Sequence, residues 1–278
     1  MNIRETVIDA LNSCGITEIG FLDYKYVREI NSRLILREGL TPRSVIMFLV
    51  PYYAGKTENL SVYAAGPDYH NVIKRITDRV ISAINKCLPE AKAVGFGDHS
   101  PIDERHAALS AGLGILGKNG LIINKLYGSY VFIGDIITDI PPEDMGCDAP
   151  VEVSVCENCG LCQSACPTGI LRGESNECLS AITQTKGELT NEQIALMRKY
   201  NTCWGCDICS AVCPHNRDIR TTPIEDFYEG RIARLTKEAV DRMSDEEFSS
   251  RAFAWRGRKT VLRNLEYLYG GKDGENKA

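Results

Sequence analysis

Eight of the twelve cysteines fall into two runs with one spacing, Cys156-x2-Cys159-x2-Cys162-x3-Cys166-Pro167 and Cys203-x2-Cys206-x2-Cys209-x3-Cys213-Pro214. Three thiolates on one tight loop hold three corners of a 4Fe–4S cluster, and the fourth, before proline, turns away to the other cluster. Two such runs predict two 4Fe–4S clusters and a chain that moves electrons. The crossing rule places Cys156, Cys159, Cys162 and Cys213 on one cluster. It places Cys166 on the other, with cysteines of the second run. A zinc ribbon would instead show separated Cys-x2-Cys knuckles, and a disulfide framework belongs to small secreted domains.

Something must position these ligands and hold whatever receives the electrons. The chain has 278 residues with 44% hydrophobic and 25% charged residues, enough for one large domain or a domain plus a small module. No apolar stretch approaches the ~20 residues of a membrane span. The start, Met1-Asn2-Ile3-Arg4-Glu5, lacks the apolar core of a signal peptide. A cytoplasmic protein is therefore expected, in a compartment where clustered cysteines mean metal. Net charge is −5, so no global basic field draws in nucleic acid. Locally, Arg251, Arg256, Arg258, Lys259 and Arg263 surround Trp255. That stretch reads either as a phosphate-contacting, base-stacking patch or as a solvated helix face.

Hydrophobic periodicity predicts helices over residues 2–14, 68–88 and 105–113, and strands over 44–50, 91–96, 121–124 and 130–138. Pro141, Pro142 and Gly146 mark a boundary. The expected division is an α/β domain over 1–148, a cysteine module over 149–221 and a helical tail over 222–278 packing on the first domain. Residues 176–200 carry a helical pattern between the cysteine runs. The polar end 270–278 is expected to be disordered.

Outside the cysteines, the densest polar loop is Asp98-His99-Ser100-Pro101-Ile102-Asp103-Glu104-Arg105-His106, between a predicted strand and a predicted helix. Open α/β sheets place their sites at such a position. Asp98 reads either as the helix N-cap or as a general acid beside a cofactor. Glu104, before Arg105 at a helix start, reads as structural. Gly112, Gly114, Gly117 and Gly120 around Lys118 fit neither the dinucleotide nor the phosphate-loop spacing. They read as close backbone approach to a flat ligand, or as punctuation ending a helix. Tyr63-Ala64-Ala65-Gly66-Pro67-Asp68-Tyr69-His70 forms a third polar stretch. Asp68-x-His70 resembles the start of a cobalt-binding histidine motif, but Ile73 stands where that motif needs glycine.

Taken together, these stretches resemble the epoxyqueuosine reductase family. The resemblance rests on Gly97 to Arg105, Ala111 to Gly114 with Gly117-Lys118-Asn119, Tyr63 to His70, Gly134 to Asp139, Cys206 to Pro214, and Arg256 to Asn264. It runs from about residue 40 to residue 265. It implies an α/β (α+β) fold: a reductive-dehalogenase-like cobalamin-binding domain, an inserted two-cluster ferredoxin-like module and a helical C-terminal tail. It implies base-off cobalamin held between the first domain and the cysteine module, contacted by Tyr63, Asp68, Tyr69, His70, Asp98, Gly112, Gly114, Gly117, Lys118, Ile122 and Ser180. It makes Asp98 the proton donor, a role requiring a raised pKa of the kind that burial against a corrin face provides.

The same resemblance takes the last ligand of the second cluster from Cys178, in Cys178-Leu179-Ser180-Ala181-Ile182-Thr183, giving Cys166, Cys178, Cys206 and Cys209. Spacing alone favours Cys203, so nine cysteines compete for eight iron sites. The implied reaction converts epoxyqueuosine to queuosine at the tRNA wobble position, with electrons from an external low-potential donor and a monomeric enzyme. Longer members carry a further C-terminal helical-repeat domain that helps hold tRNA, and this sequence ends before one. Two alternatives therefore stand: a corrinoid iron–sulfur reductase of another substrate, and a ferredoxin-type electron carrier.

Overall fold

The computed structural model describes residues 2–31 and 39–270; most of the polar end expected to be disordered lies outside them. The chain divides into two compact units, each assembled from separate stretches. Unit 1 comprises residues 1–52, 70–157 and 218–224; unit 2 comprises 53–69, 158–217 and 225–278. Among the described residues no helix is long and apolar enough to cross a membrane.

Unit 1 is built on a four-stranded sheet of order β1-β2-β6-β3, from β1 (Ile19–Asp23), β2 (Ser44–Pro51), β3 (Ala93–Phe96) and β6 (Val131–Thr138). Every pairing is antiparallel, with Ile46 opposite Ile136 and Phe96 opposite Asp135. All eight residues of β2 are buried, which explains its unbroken apolar run. Val45, Met47 and Leu49 share a core with Ala107, Ala108 and Leu109 of the helix α3 (Glu104–Ser110). Gly95 and Gly97 face α2 (Tyr69–Cys87); a Cβ at either would lie within 2.5 Å of Thr77 or Ile73. Unit 1 also contains the helix α1 (Ile3–Asn12) and a short hairpin of β4 (Ile115–Leu116) and β5 (Ile122–Ile123).

Unit 2 carries seven of the eight cysteines of the paired runs; Cys156 belongs to unit 1. Its core joins Leu179, Ile182, Met197, Cys203 and Trp204 to Val261, Leu265 and Leu268 of the last helix. Residues 225–270 thus share a hydrophobic core with the cysteine segment, whereas the sequence reading separated 149–221 from a tail packed on 1–148. The reason is local. Val261, Leu265 and Leu268 form one face of the helix Arg258–Tyr269, and that face meets the helices of 176–200. That region is itself two helices, Leu179–Thr183 and Asn191–Lys199, the second opened by a Thr190–Gln193 capping box.

Candidate active site and cluster ligands

Asp98 is separated from the end of β3 by Gly97 and lies in unit 1. It does not cap α3: Asp103 does, accepting the His106 N–H at 3.1 Å. The helix-cap reading of Asp98 is therefore overturned, because the loop places Asp103 rather than Asp98 at the helix entrance. Asp98 and His99 both have left-handed backbones, with φ of 66° and 59°. The Asp98 side chain is about half exposed (49%), and its Oδ2 lies 3.6 Å from Nε2 of His70. Two polar stretches remote in sequence thus meet as a carboxylate–imidazole pair.

Behind this pair lie two further carboxyls. Glu104 Oε1 accepts the Asp98 N–H at 3.2 Å. Burial, with the neighbouring charges of Asp98 and Asp103 adding to it, pushes Glu104 up to about 7. Asp135, at the middle of β6, is fully buried, and its Oδ2 accepts the Ser100 hydroxyl at 3.1 Å. Burial, and then the neighbouring Glu104 charge, push Asp135 well above its ordinary carboxylate value. Sequence reading noticed Asp135 only as part of a motif. A lone Asp in an otherwise apolar strand was the available signal.

The glycine stretch has reasons of its own. A Cβ on Gly114 would meet the Ile123 carbonyl oxygen at 2.5 Å, and one on Gly117 would meet Asn119 Oδ1 at 2.5 Å. Gly112, at φ 75°, ends α3. Close packing within the hairpin thus leaves no room for a Cβ at 114 or 117, and of these glycines Gly112 is the one that ends the helix. Lys118 is exposed beside them, and Ile122 is buried.

In unit 2, Tyr63 and the second cysteine run are bound together. Trp204 Nε1 donates to the Tyr63 hydroxyl at 3.0 Å. Asp207 accepts the Ser61 hydroxyl and the Val62 N–H, both at 2.6 Å. Burial raises Tyr63 above the ordinary phenol range and so keeps it a proton-bearing donor. Asp68 is anchored through its N–H to the Ser250 carbonyl at 2.8 Å and precedes Tyr69, which opens α2. Ser180 Oγ accepts from Gln184 at 3.0 Å.

The cysteines sort by environment. The short helices Leu161–Ala165 and Ile208–Ala211, carrying Cys162 and Cys209, pack on each other, as the paired runs require. Burial pushes the Cys206 thiol up to about 12, and Cys178 and Cys209 lie close enough to push it the same way. Burial also opposes ionisation of Cys166. The N–H groups of Leu171, Thr168 and Gly169 and the Thr168 hydroxyl outweigh it and draw that thiol below its usual range. Donors converging on a sulfur suit a cluster thiolate. Cys203 is different. It is fully buried in the apolar core, and burial alone pushes it up to about 12. Cys159 is exposed, and Cys156 and Cys213 are partly so.

Residues 155–216 match the family model described as a 4Fe-4S double cluster binding domain, and residues 39–98 match that of epoxyqueuosine reductase QueG, DUF1730. An epoxyqueuosine reductase from Listeria monocytogenes is 34% identical over 94% of this chain and 79% of its own length. One from Bacillus subtilis is 30% identical over 94% and 77%. The chain spans only about three fifths of the relatives from Staphylococcus aureus (62%) and Lactococcus garvieae (59%). The epoxyqueuosine reductase structure from Streptococcus thermophilus superposes with a TM-score of 0.76 at 27% identity, covering 96% of this chain and 81% of that one. An epoxyqueuosine reductase bound to an epoxyqueuosine-modified tRNA-Tyr stem loop gives 0.75 at 28% identity, covering 96% and 80%. Because this likeness takes in the Asp98 loop and both cysteine runs together, the chain belongs to the epoxyqueuosine reductase family.

Proposed function

We propose that this chain is a cobalamin-dependent reductase that converts epoxyqueuosine in tRNA to queuosine. One observation carries the reading: similarity to these reductases runs through both units, the acid-bearing loop as well as the cysteine runs. An electron carrier would need the cysteines alone. Removing the epoxide oxygen to leave an alkene and water consumes two electrons and two protons. Bound base-off cobalamin, supplied with single electrons by way of two 4Fe–4S clusters, would provide the reducing power.

The donor set suits both groups. Cys156, Cys159, Cys162 and Cys213 would hold one cluster, and Cys166, Cys178, Cys206 and Cys209 the other; the nearness of Cys178 to Cys206 supports that choice over Cys203. Asp68, Tyr69, His70 and Lys118 offer polar groups for the amides around a corrin ring, and Tyr63 an oriented hydroxyl. Gly112, Gly114, Gly117, Ile122 and Ser180 would complete the contacts. Asp98, exposed beside His70, would donate a proton to the departing oxygen, and a corrin face covering it would disfavour its charged form. A tRNA anticodon loop, an external low-potential donor and a monomeric, cytoplasmic enzyme complete the proposal.

The test is incubation of the reconstituted protein and a reductant with epoxyqueuosine-containing tRNA, followed by mass analysis of its nucleosides. Queuosine formed in step with loss of epoxyqueuosine supports the reading. Unchanged nucleosides from protein that retains cobalamin and iron would point to another substrate.

A further inference from the structure

The loop that presents Asp98 is held by different means at its two ends. Its far end is fixed by backbone bonds, with the Pro101 carbonyl accepting the N–H groups of Ile30 and Asn31 at 2.7 and 3.0 Å. The Asp103 N–H also donates to the Arg28 carbonyl at 2.8 Å. The near end contains Asp98 and His99, two successive non-glycine residues in the left-handed region. Side chains with a Cβ rarely adopt that conformation even singly, so this end needs a specific restraint.

The Asp98 N–H donates to Glu104 Oε1, six residues on, at 3.2 Å. The His99 N–H is taken by the Asp98 carboxyl itself, at 3.1 Å. Glu104 sits in the first turn of α3, whose Asp103 cap and buried face against β2 fix it relative to the sheet.

We propose that Glu104 is a positioning residue for the proton donor: its carboxyl oxygen latches the Asp98 backbone amide and holds the left-handed turn that aims the Asp98 side chain toward His70. Glu104 acts through the main chain of Asp98 and touches no reacting atom. The inference rests on Asp98 being the donor, but the latch itself is a statement about the loop. Glutamine at position 104 keeps an Oε1 acceptor and loses the acid; alanine loses both.

The experiment follows amide hydrogen exchange across residues 97–103 in the iron- and cobalamin-loaded protein, alongside kcat and KM, for Glu104→Ala, Glu104→Gln and Asp98→Asn. Glu104→Ala should raise exchange in that segment by about tenfold, as expected when a local restraint is lost. It should lower kcat by about tenfold or more with KM little changed, the scale of a mispositioned catalytic group. Glu104→Gln should stay within about threefold of the parent in both readouts, because the acceptor survives. Should Glu104→Ala fail to fold, Glu104→Asp shortens the reach by one methylene and gives the same readouts.

Unchanged exchange in Glu104→Ala, or a Glu104→Gln variant as defective as Glu104→Ala, would overturn the latch. Asp98→Asn keeps the backbone amide and should leave exchange unchanged while turnover falls. If Asp98→Asn turns over normally while Glu104→Ala still loosens the loop, the acid assignment fails and the latch stands.

Discussion

The buried side chain of Asn264 donates to the carbonyl oxygen of Cys203 at 2.8 Å and to that of Thr183 at 2.6 Å. One amide thus ties the start of the second cysteine run to the helix that follows Cys178. The Cys203 N–H donates to the Asn59 carbonyl at 2.7 Å, so both backbone groups of Cys203 serve the fold. Its side chain is part of the apolar core. A sulfur so enclosed would have to leave that core to reach iron. Cys178 is only partly buried and lies near Cys206.

Cys178→Ala should therefore lose about four irons per chain, and Cys203→Ala should keep about eight. The second variant should cost stability instead, about 1–2 kcal/mol, as for a small deletion in a packed core. Iron analysis and thermal unfolding of the two variants separate the outcomes, and the reverse pattern of iron loss would restore Cys203 as ligand.

The proposed role of Asp98 as proton donor is tested by Asp98→Asn, a near-isostere without a carboxyl proton. Turnover should fall by ~10²-fold or more, the usual scale of general acid catalysis. Iron and cobalamin content should remain those of the parent, because asparagine keeps the size and polarity of the side chain and position 98 ligates neither cluster in this assignment. Full turnover would pass the role to water or another group.

Much of this was legible in the chain, and the misses share a cause. The apolar run of β2 and the period of α2 are local signals strong enough to fix both elements. The strand Ile19–Asp23 is not among the strands that periodicity predicts, and it contains Gly20, a residue that ordinarily weakens a strand. In the fold, a Cβ there would lie 2.6 Å from that of Ala111, so glycine permits close packing rather than ending the strand. The strand-to-helix turn at Asp98 was chosen by a rule for open parallel sheets, yet this sheet is antiparallel. Of the two grounds for choosing Asp98, its place at a strand-to-helix turn and the motif resemblance, the second does not depend on that rule. Residues 53–69 join the cysteine segment through contacts such as the bridge between Leu60 and Trp204, which no local periodicity encodes. The Glu104 latch likewise spans six residues across a left-handed turn and has no helical or strand period.

Glu104 also sets a pH dependence of stability. Its folded-state value is about 7 against an ordinary 4.5, so between those values the folded chain holds a proton that the unfolded chain has released. Stability then falls as pH rises through that window. Below about 4.5 the cost is absent, and above about 7 it is complete. A shift of this size corresponds to at most about 3 kcal/mol, less whatever relaxation of the loop returns. Asp135 contributes in the same direction. Glu104→Gln should flatten the slope and be relatively more stable than the parent at pH 8 than at pH 5. Denaturant midpoints at the two pH values measure this, and equal slopes would show that Glu104 titrates normally.

The basic stretch near the end of the chain divides in two. Arg258 donates to the carbonyls of Val240, Met243 and Ser244 and stacks on Phe248, 4.4 Å from the ring centre. Arg263 donates to the Gly187 carbonyl and to Asn264. These two arginines close helix ends and loops, so their charges are committed to the fold. Trp255 is different: it is 58% exposed, and the Arg256 guanidinium lies 3.7 Å from its ring centre, with Lys259 exposed nearby. An exposed indole backed by a cation suits stacking on an unpaired base beside a phosphate. Trp255→Ala should weaken tRNA binding by about 1–3 kcal/mol with little change in thermal stability. Arg256→Glu should also reduce the salt dependence of binding, since each lost phosphate contact lowers that slope by about one. Arg258→Ala should do the opposite, lowering stability by about 1–3 kcal/mol through the stranded carbonyls and leaving the salt slope unchanged. Titrations of a labelled anticodon stem loop at several salt concentrations, paired with melting curves, distinguish the two groups. A Trp255→Ala variant that binds the stem loop like the parent would rule this patch out as the proposed tRNA contact.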